Sequence, residues 1–196
     1  KMTAPGKKYG INNISVEARR EQNQRVVDIT SDFLTATLRG KYAYTTVPAS
    51  IITIIEYYLP SLLNVHKVKI QPHNNFEFDL TLYDATPLQQ FFNIPLRLNQ
   101  PLTMNGYFND RLHKMRIEGY APNFIYKNGR YESGRFLCEN PDDQLRLSAH
   151  VSKHFSGHSL VSFATEATAR DNVLNTSFSW GNDKAVTYSG QLNSVV

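Results

Sequence analysis

Apolar and polar residues alternate with a period of two through most of this chain. Leu34, Ala36, Leu38, Tyr42 and Tyr44 fall on one side of the pattern, and Thr35, Thr37, Arg39 and Lys41 on the other. Phe76, Phe78, Leu80 and Leu82 alternate with Glu77, Asp79, Thr81 and Tyr83. The pattern returns at Ile94, Leu96 and Leu98, at Leu102, Met104 and Phe108, and at Leu145, Leu147, Ala149 and Val151. It returns again at Leu174, Thr176, Phe178 and Trp180, and at Val186, Tyr188 and Leu192. Successive side chains of a strand point to opposite faces, so each run predicts a strand with one dry and one wet face. Strands of that kind belong to antiparallel sheets. Lys127-Asn128-Gly129-Arg130 predicts a hairpin turning on Asn128-Gly129, with Tyr126 opposite Tyr131. Asn140-Pro141-Asp142-Asp143 and Gly181-Asn182-Asp183 read as further turns.

Two segments leave this period. Within Pro48–Leu63, Ile51, Ile54, Ile55, Tyr58 and Leu62 recur at helical spacing, and Pro48 suits a first turn. A helical insert is expected over 46–64. Thr86-Pro87-Leu88-Gln89 reads as a capping box that opens a short helical turn over 86–93. Short amphipathic helices in a β protein are expected to plug the core or cap its ends. The fold class is therefore all-β, an antiparallel sheet with one or two short helices.

Composition adds bounds. Hydrophobic residues are 41% of 196, enough to bury a substantial surface. The net charge of +4 is dispersed, with no basic run longer than Lys7-Lys8 or Arg19-Arg20, so it describes a solvated mixed-charge face. The single cysteine, Cys138, cannot staple the fold and reads as a small packed residue. The most apolar run, Ile51–Leu63, holds Glu56 and Pro60 and is too short to span a bilayer. Lys1 stands before Met2 and the strand pattern continues to the last residues, so residues 1–196 read as a single fragment of a longer chain.

Candidate chemistry is sparse. His150, His154 and His158 would share a face only on a helix, and Leu145–Val151 reads as a strand, so no metal is expected. Glu77 and Asp79 lie on a polar strand face, and Asp142 and Asp143 in a turn. Neither pair comes with a partner that would set an acid against a base. No phosphate loop, HExxH or GxSxG motif is present. The expectation is a non-enzymatic protein without cofactor. Aromatic and basic residues do not alternate as a stacking platform requires, so no nucleic-acid partner is expected.

The order of several motifs resembles a known family. Ser31-Asp32-Phe33-Leu34-Thr35-Ala36-Thr37-Leu38-Arg39-Gly40-Lys41-Tyr42 precedes Thr46-Val47-Pro48 and a helix closing on Tyr58-Leu59-Pro60. Asn75-Phe76-Glu77-Phe78-Asp79-Leu80-Thr81-Leu82-Tyr83-Asp84 follows, then Pro87-Leu88 and Phe91-Phe92. Ser177-Phe178-Ser179-Trp180 and Tyr188-Ser189-Gly190 come last. Over most of residues 11–192 this resembles the TamB family (translocation and assembly module) of the AsmA-like superfamily. The resemblance implies a long U-shaped, taco-like β-groove with an apolar trough in the periplasm, held by an inner-membrane anchor that lies outside this chain. It implies partnership with an outer-membrane barrel of the Omp85 class, through parts also outside this chain. It implies phospholipid transport between the membranes and outer-membrane biogenesis, with no catalytic residues.

The expected groove lining is Leu34, Leu38, Phe76, Phe78, Leu80, Leu82, Leu102, Met104, Phe108, Leu145, Leu147, Phe178 and Trp180, with phospholipid acyl chains as the partner. Alternation is the same in a closed sandwich and an open groove, so the trough comes from the resemblance. Two other readings compete. A structural or chaperone-like module would offer sheet edges to outer-membrane strands. A carbohydrate-binding sandwich would need a patch of exposed aromatics, and Tyr83, Tyr120 and Tyr131 are dispersed.

Overall fold

The computed structural model describes residues 3–4, 7–8, 13–61, 73–155, 160–182 and 187–195. Strands make up well over half of these. A two-stranded ladder joins β1 (Thr3–Ala4) to β2 (Lys7–Lys8). All other strands form one open, curled antiparallel sheet. They are β3 (Ser15–Glu21), β4 (Gln24–Thr30), β5 (Leu34–Lys41), β6 (Asn75–Leu82), β7 (Leu96–Leu98), β8 (Leu102–Asn109) and β9 (Lys114–Tyr126), then β10 (Gly129–Glu139), β11 (Leu145–His154), β12 (Leu160–Arg170), β13 (Val173–Asn182) and β14 (Thr187–Val195). The order runs β14-β13-β12-β11-β10-β9-β8-β6-β5-β4-β3, with β7 beside the end of β9. The expectation of an all-β sheet with two short helices is met: α1 spans Val47–Tyr58 and α2 spans Thr86–Phe92. Among the described residues, no helix is long and apolar enough to cross a membrane.

Register carries one apolar face across the whole path. Direct cross-strand partners run Val16, Ile29, Ala36, Leu80, Met104, Gly119, Phe136, Ala149, Thr165, Phe178 and Gly190. One residue along each strand, the partners run Glu17, Asp28, Thr37, Asp79, Asn105, Glu118, Leu137, Ser148, Glu166, Ser177 and Gln191. The second row is polar at every strand but one. Its carboxylates meet arginines of the neighbouring row: Arg19 binds Asp28, and Arg116 binds Glu118 and Glu139. The Arg19 guanidinium and the Thr37 hydroxyl hold the Asp28 carboxyl below its usual range. Such solvent-exposed pairs contribute little to stability.

Helix α1 explains the curl. Ile54, Tyr58 and Leu59 pack in one buried cluster with Phe108 of β8, Met115 of β9 and Ala169 of β12. Flat, β8 and β12 would lie about 19 Å apart, wider than the roughly 10 Å thickness of a helix. The sheet must bend round α1 for both to touch it. Polar groups fix the same contact. Ser50 Oγ donates to Asp110 Oδ2 at 2.8 Å in the β8–β9 turn. Asn140 Nδ2 donates to the Tyr58 hydroxyl at 2.9 Å, and Asn172 N donates to Tyr58 O at 3.1 Å. The helix is thus tied to successive turns at one end of the sheet. Pro60 follows its last turn, which fits its ending at Tyr58 rather than running on to 64. Leu62 and Leu63 lie outside the described residues.

Local features depart from expectation in three places. Lys127 and Asn128, not Asn128 and Gly129, form the hairpin turn, with Lys127 at φ 54°. Tyr126 therefore faces Gly129, and Tyr131 faces Phe124 with ring centroids 5.3 Å apart. Thr86 forms no capping box. Ala85 holds the cap position, and Asp84 Oδ1 accepts from Thr86 N and Thr86 Oγ1. Strands β3, β4 and β12 lack the strong alternation seen elsewhere, and β9 and β10 are marked only by their hairpin.

Ile54 is fully buried and Ile51, on the same helix, is 36% exposed. Ile54→Ala is expected to lower unfolding stability by about 2–5 kcal/mol, and Ile51→Ala by less than about 1 kcal/mol. Urea unfolding followed by circular dichroism checks both.

Candidate functional site

The apolar face has two halves. Under α1 it is closed: Phe108 is 2% exposed, and Phe76, Ile117, Cys138, Leu145 and Leu174 pack against the same cluster. Burial, followed by the nearby Glu139 carboxylate, pushes the Cys138 thiol above its usual range. Beyond α1 the face is open. There Phe178 is 43% and Trp180 37% exposed, and Phe136 and Phe163 are similar. A trough of about 640 Å³ with almost entirely apolar walls runs over β8–β13.

Local backbone features build this trough. Pro122 lies where β9 exchanges one neighbour for another: β8 pairs with it up to Tyr120, and β7 takes over at Phe124. Proline has no N–H to leave unpaired at that junction. Opposite it, Ser133 has φ 55°, and β10 shifts register against β11 between Glu132 and Arg135. The bulge changes which face each side chain takes. Tyr131 and Phe124 therefore join Phe136 in the trough, although simple alternation would divide them. At the other wall, Phe178 and Trp180 stack with centroids 5.9 Å apart, and Trp180 stacks on Tyr188 at 5.5 Å. Gly190 faces Phe178, and a Cβ there would lie 2.3 Å from the Phe178 ring. The glycine lets the ring lie flat along the floor.

All the residues expected to line a groove share this one face. Leu102, Met104, Phe178 and Trp180 border the open trough. Phe76, Phe108 and Leu145 lie in or against the closed cluster under α1. Across β5 and β6, Leu34 pairs with Leu82, Leu38 with Phe78 and Leu80 with Ala36, and Leu147 sits between Cys138 and Ala167. Sequence reasoning missed Phe124, Phe136, Val151 and Phe163. Phe163 alternates only with Thr165, Ala167 and Ala169, which gives a weak period-two signal.

The other face carries a hollow of about 670 Å³ bordered by Glu118, Tyr120, Arg135, His150 and Glu166. The Arg135 guanidinium lies 5.3 Å from the Tyr120 ring centroid. His150 Nδ1 is 3.3 Å from Ser133 O, and His154 Nε2 is 2.9 Å from Glu132 Oε2. Both histidines lie on β11, where four residues span about 13 Å, too far to share a metal. His158 lies outside the described residues. Glu77 and Asp79 lie on the polar face of β6. Asp143 accepts from the Tyr57 hydroxyl at 3.5 Å.

No protein-family model, curated protein or solved structure matches the chain.

With the histidines separated along a strand, a chelator such as EDTA is expected to leave the melting temperature unchanged. Differential scanning fluorimetry with and without added zinc checks this, and a zinc-dependent rise lost in His150→Ala would contradict it.

Proposed function

We propose that the open half of the apolar face holds the acyl chains of phospholipids. One observation carries the reading: an apolar strip, in register through the sheet, is covered by α1 at one end and uncovered over β8–β13. Monomeric proteins rarely leave large contiguous apolar patches in water, so such a surface calls for a ligand or partner. A volume of about 640 Å³ lies within the usual range for small-molecule sites. Each buried CH₂ contributes about 0.8 kcal/mol, so about a dozen methylenes supply roughly 10 kcal/mol before the costs of association. Binding of this kind is broad in head group and insensitive to salt.

Taken with the motif resemblance to the TamB family, this reading makes the chain a non-enzymatic, periplasmic segment of a groove for phospholipid transport between inner and outer membranes. Contact with an Omp85-class barrel would lie in other parts of the full protein. A second reading has its own observation. Edge strand β14 carries no charged residue, whereas β3 at the opposite edge carries Glu17, Arg19, Arg20 and Glu21. Charges on an edge deter further pairing, and their lack at β14 suits strand addition by an outer-membrane protein under assembly.

Photo-crosslinking in diderm cells separates the two. Probes at Phe163 and Phe178 are expected to give lipid adducts far more often than probes at Ser177 and Gln191 on the opposite face. Equal adduct frequencies at all four positions would sink the groove reading, and protein adducts concentrated on β14 would favour the second. In vitro, Trp180 is the only tryptophan. Its emission should shift to shorter wavelength on titration with a lysophospholipid, equally at low and high salt.

A further inference from the structure

The row of the apolar face that passes beneath α1 begins with two charges. Register pairs Arg20 with Arg25, Arg25 with Gly40, Gly40 with Phe76, and Phe76 with Phe108. Arg20 and Arg25 thus share the face of Val27 and Leu38, where the neighbouring rows are apolar. A cavity of about 470 Å³ lies over this corner. Lys41, Tyr42, Thr46 and His73 also border it, and no carboxylate does.

Like charges directly opposite each other on an antiparallel pair repel. Elsewhere the chain neutralises arginines placed this way: Arg19 has Glu21 and Asp28, Arg39 has Glu21, and Arg116 has Glu118 and Glu139. Among the described residues, Arg20, Arg25 and Lys41 have no ion pair. Arg25 is not free to swing away, because its Nη1 donates to Tyr42 O at 3.2 Å.

Tyr42 and Thr46 also border this corner. Tyr42 is 5% exposed, and its buried hydroxyl has no hydrogen-bond partner among the described residues. A buried hydroxyl without a partner costs about 1–3 kcal/mol. Burial, followed by the neighbouring Tyr44 hydroxyl, pushes its pKa up to about 12. Thr46 precedes α1, and the first turn of that helix carries no acidic residue. The nearest buried carboxylate, Asp110, accepts from Ser50 Oγ and Asn74 N and does not border the cavity.

We infer that the corner formed by Arg20, Arg25 and His73 binds a phosphate group. Two guanidinium forks match the several oxygens of a phosphate ester, which can accept from more than one donor at once. The group could belong to a lipid head or to free phosphate. Its place at the border of the apolar face favours the head group, and that assignment alone rests on the acyl-chain reading. The phosphate site itself does not.

The test titrates the 196-residue chain with inorganic phosphate at constant ionic strength. It separately floats the chain with phosphatidylglycerol vesicles and with phosphatidylcholine vesicles. Arg20→Gln and Arg25→Gln alter the corner. Arg130→Gln removes the same charge where β10 begins, opposite His154, and serves as the control. Each corner variant is expected to weaken phosphate binding by about tenfold or more, and the control to leave it unchanged. Arg20 is exposed on an edge strand, so Arg20→Gln should not lower the melting temperature. Phosphate should raise that temperature in the wild type and not in this variant, a response that a purely structural arginine would not give. Flotation with phosphatidylglycerol lost in the two corner variants alone assigns a lipid head group. Flotation kept while phosphate binding is lost assigns free phosphate. Phosphate binding and flotation that are equal in the wild type and all three variants, or reduced equally in all three, overturn the site. A missing Trp180 response to lysophospholipid alongside intact phosphate binding would count against the acyl-chain reading and leave this one standing.

Discussion

A hydrogen-bonded ladder transmits facing. When residue i pairs with residue j, their side chains stand on the same side of the sheet, and each further strand inherits the choice. In this chain that inheritance passes through every strand of the main path, from Val16 to Gly190. A slip of one residue anywhere would turn the remaining apolar residues toward water and the carboxylates of the polar row inward. The alternating pattern thus does two jobs at once. It selects the register, and it makes a continuous apolar strip unavoidable. The strip has to be covered, curled upon itself or occupied. The protein does the first at one end, through α1, and curls the rest into an open trough.

The aromatic rings on this strip share a device. Gly40 faces Phe76, Gly106 faces Phe78, Gly119 faces Phe136, and Gly190 faces Phe178. At Gly40, φ is +148° and a Cβ would lie 2.2 Å from Asn75 O, so no other residue fits. A glycine opposite an aromatic loses its own packing, and the ring covers the bare backbone in return. At those four positions the arrangement also thins the floor, because a ring faces bare backbone rather than another side chain. Depth of the trough and tight strand pairing come from the same substitution pattern.

The sequence made strong elements legible where alternation is sustained by large residues, as in β5, β6, β8 and β13, and where helical spacing interrupts it, as in α1 and α2. It failed where the signal depends on context. β12 reads Leu-Val-Ser-Phe-Ala-Thr-Glu-Ala-Thr-Ala-Arg, and its inward positions are mostly small, so hydropathy alone does not mark a strand. The β9–β10 hairpin turned one residue early. Stacking of Phe124 on Tyr131 and pairing along the full ladder outweighed the local preference of Asn-Gly. The Ser133 bulge was invisible because nothing about serine announces a positive φ. Yet this bulge brings Tyr131 and Phe136 to one face, and so decides half of the trough. The two arginines under α1 were passed over for a related reason. Read as dispersed surface charges, Arg20 and Arg25 gained meaning only when register placed them opposite one another on the apolar face.

Helix α1 is better understood as a fixed wall than as a lid. Its buried face is tied to the sheet by Ser50, Tyr58 and the turn residues Asp110, Asn140 and Asn172. Asn140 Oδ1 also accepts from Met115 N at 2.8 Å, so the asparagine serves the helix and the sheet together. Lifting α1 would leave several of these groups without partners, at about 1–3 kcal/mol each where they stay buried. It would also return Ile54 and Tyr58 to water, at about 1.5–3 kcal/mol each. The sum is comparable with the whole stability of an ordinary domain, roughly 5–15 kcal/mol. Helix α2 is held differently. None of its residues is buried, Phe92 is largely exposed, and its packing is against β7. The two ends of the apolar face therefore differ in kind, one sealed by a polar network and the other bordered by a helix with no buried residue. A chain lying in the trough would meet a firm stop at α1 and far less resistance toward β7 and α2, which gives the groove a direction even though its apolar walls have none.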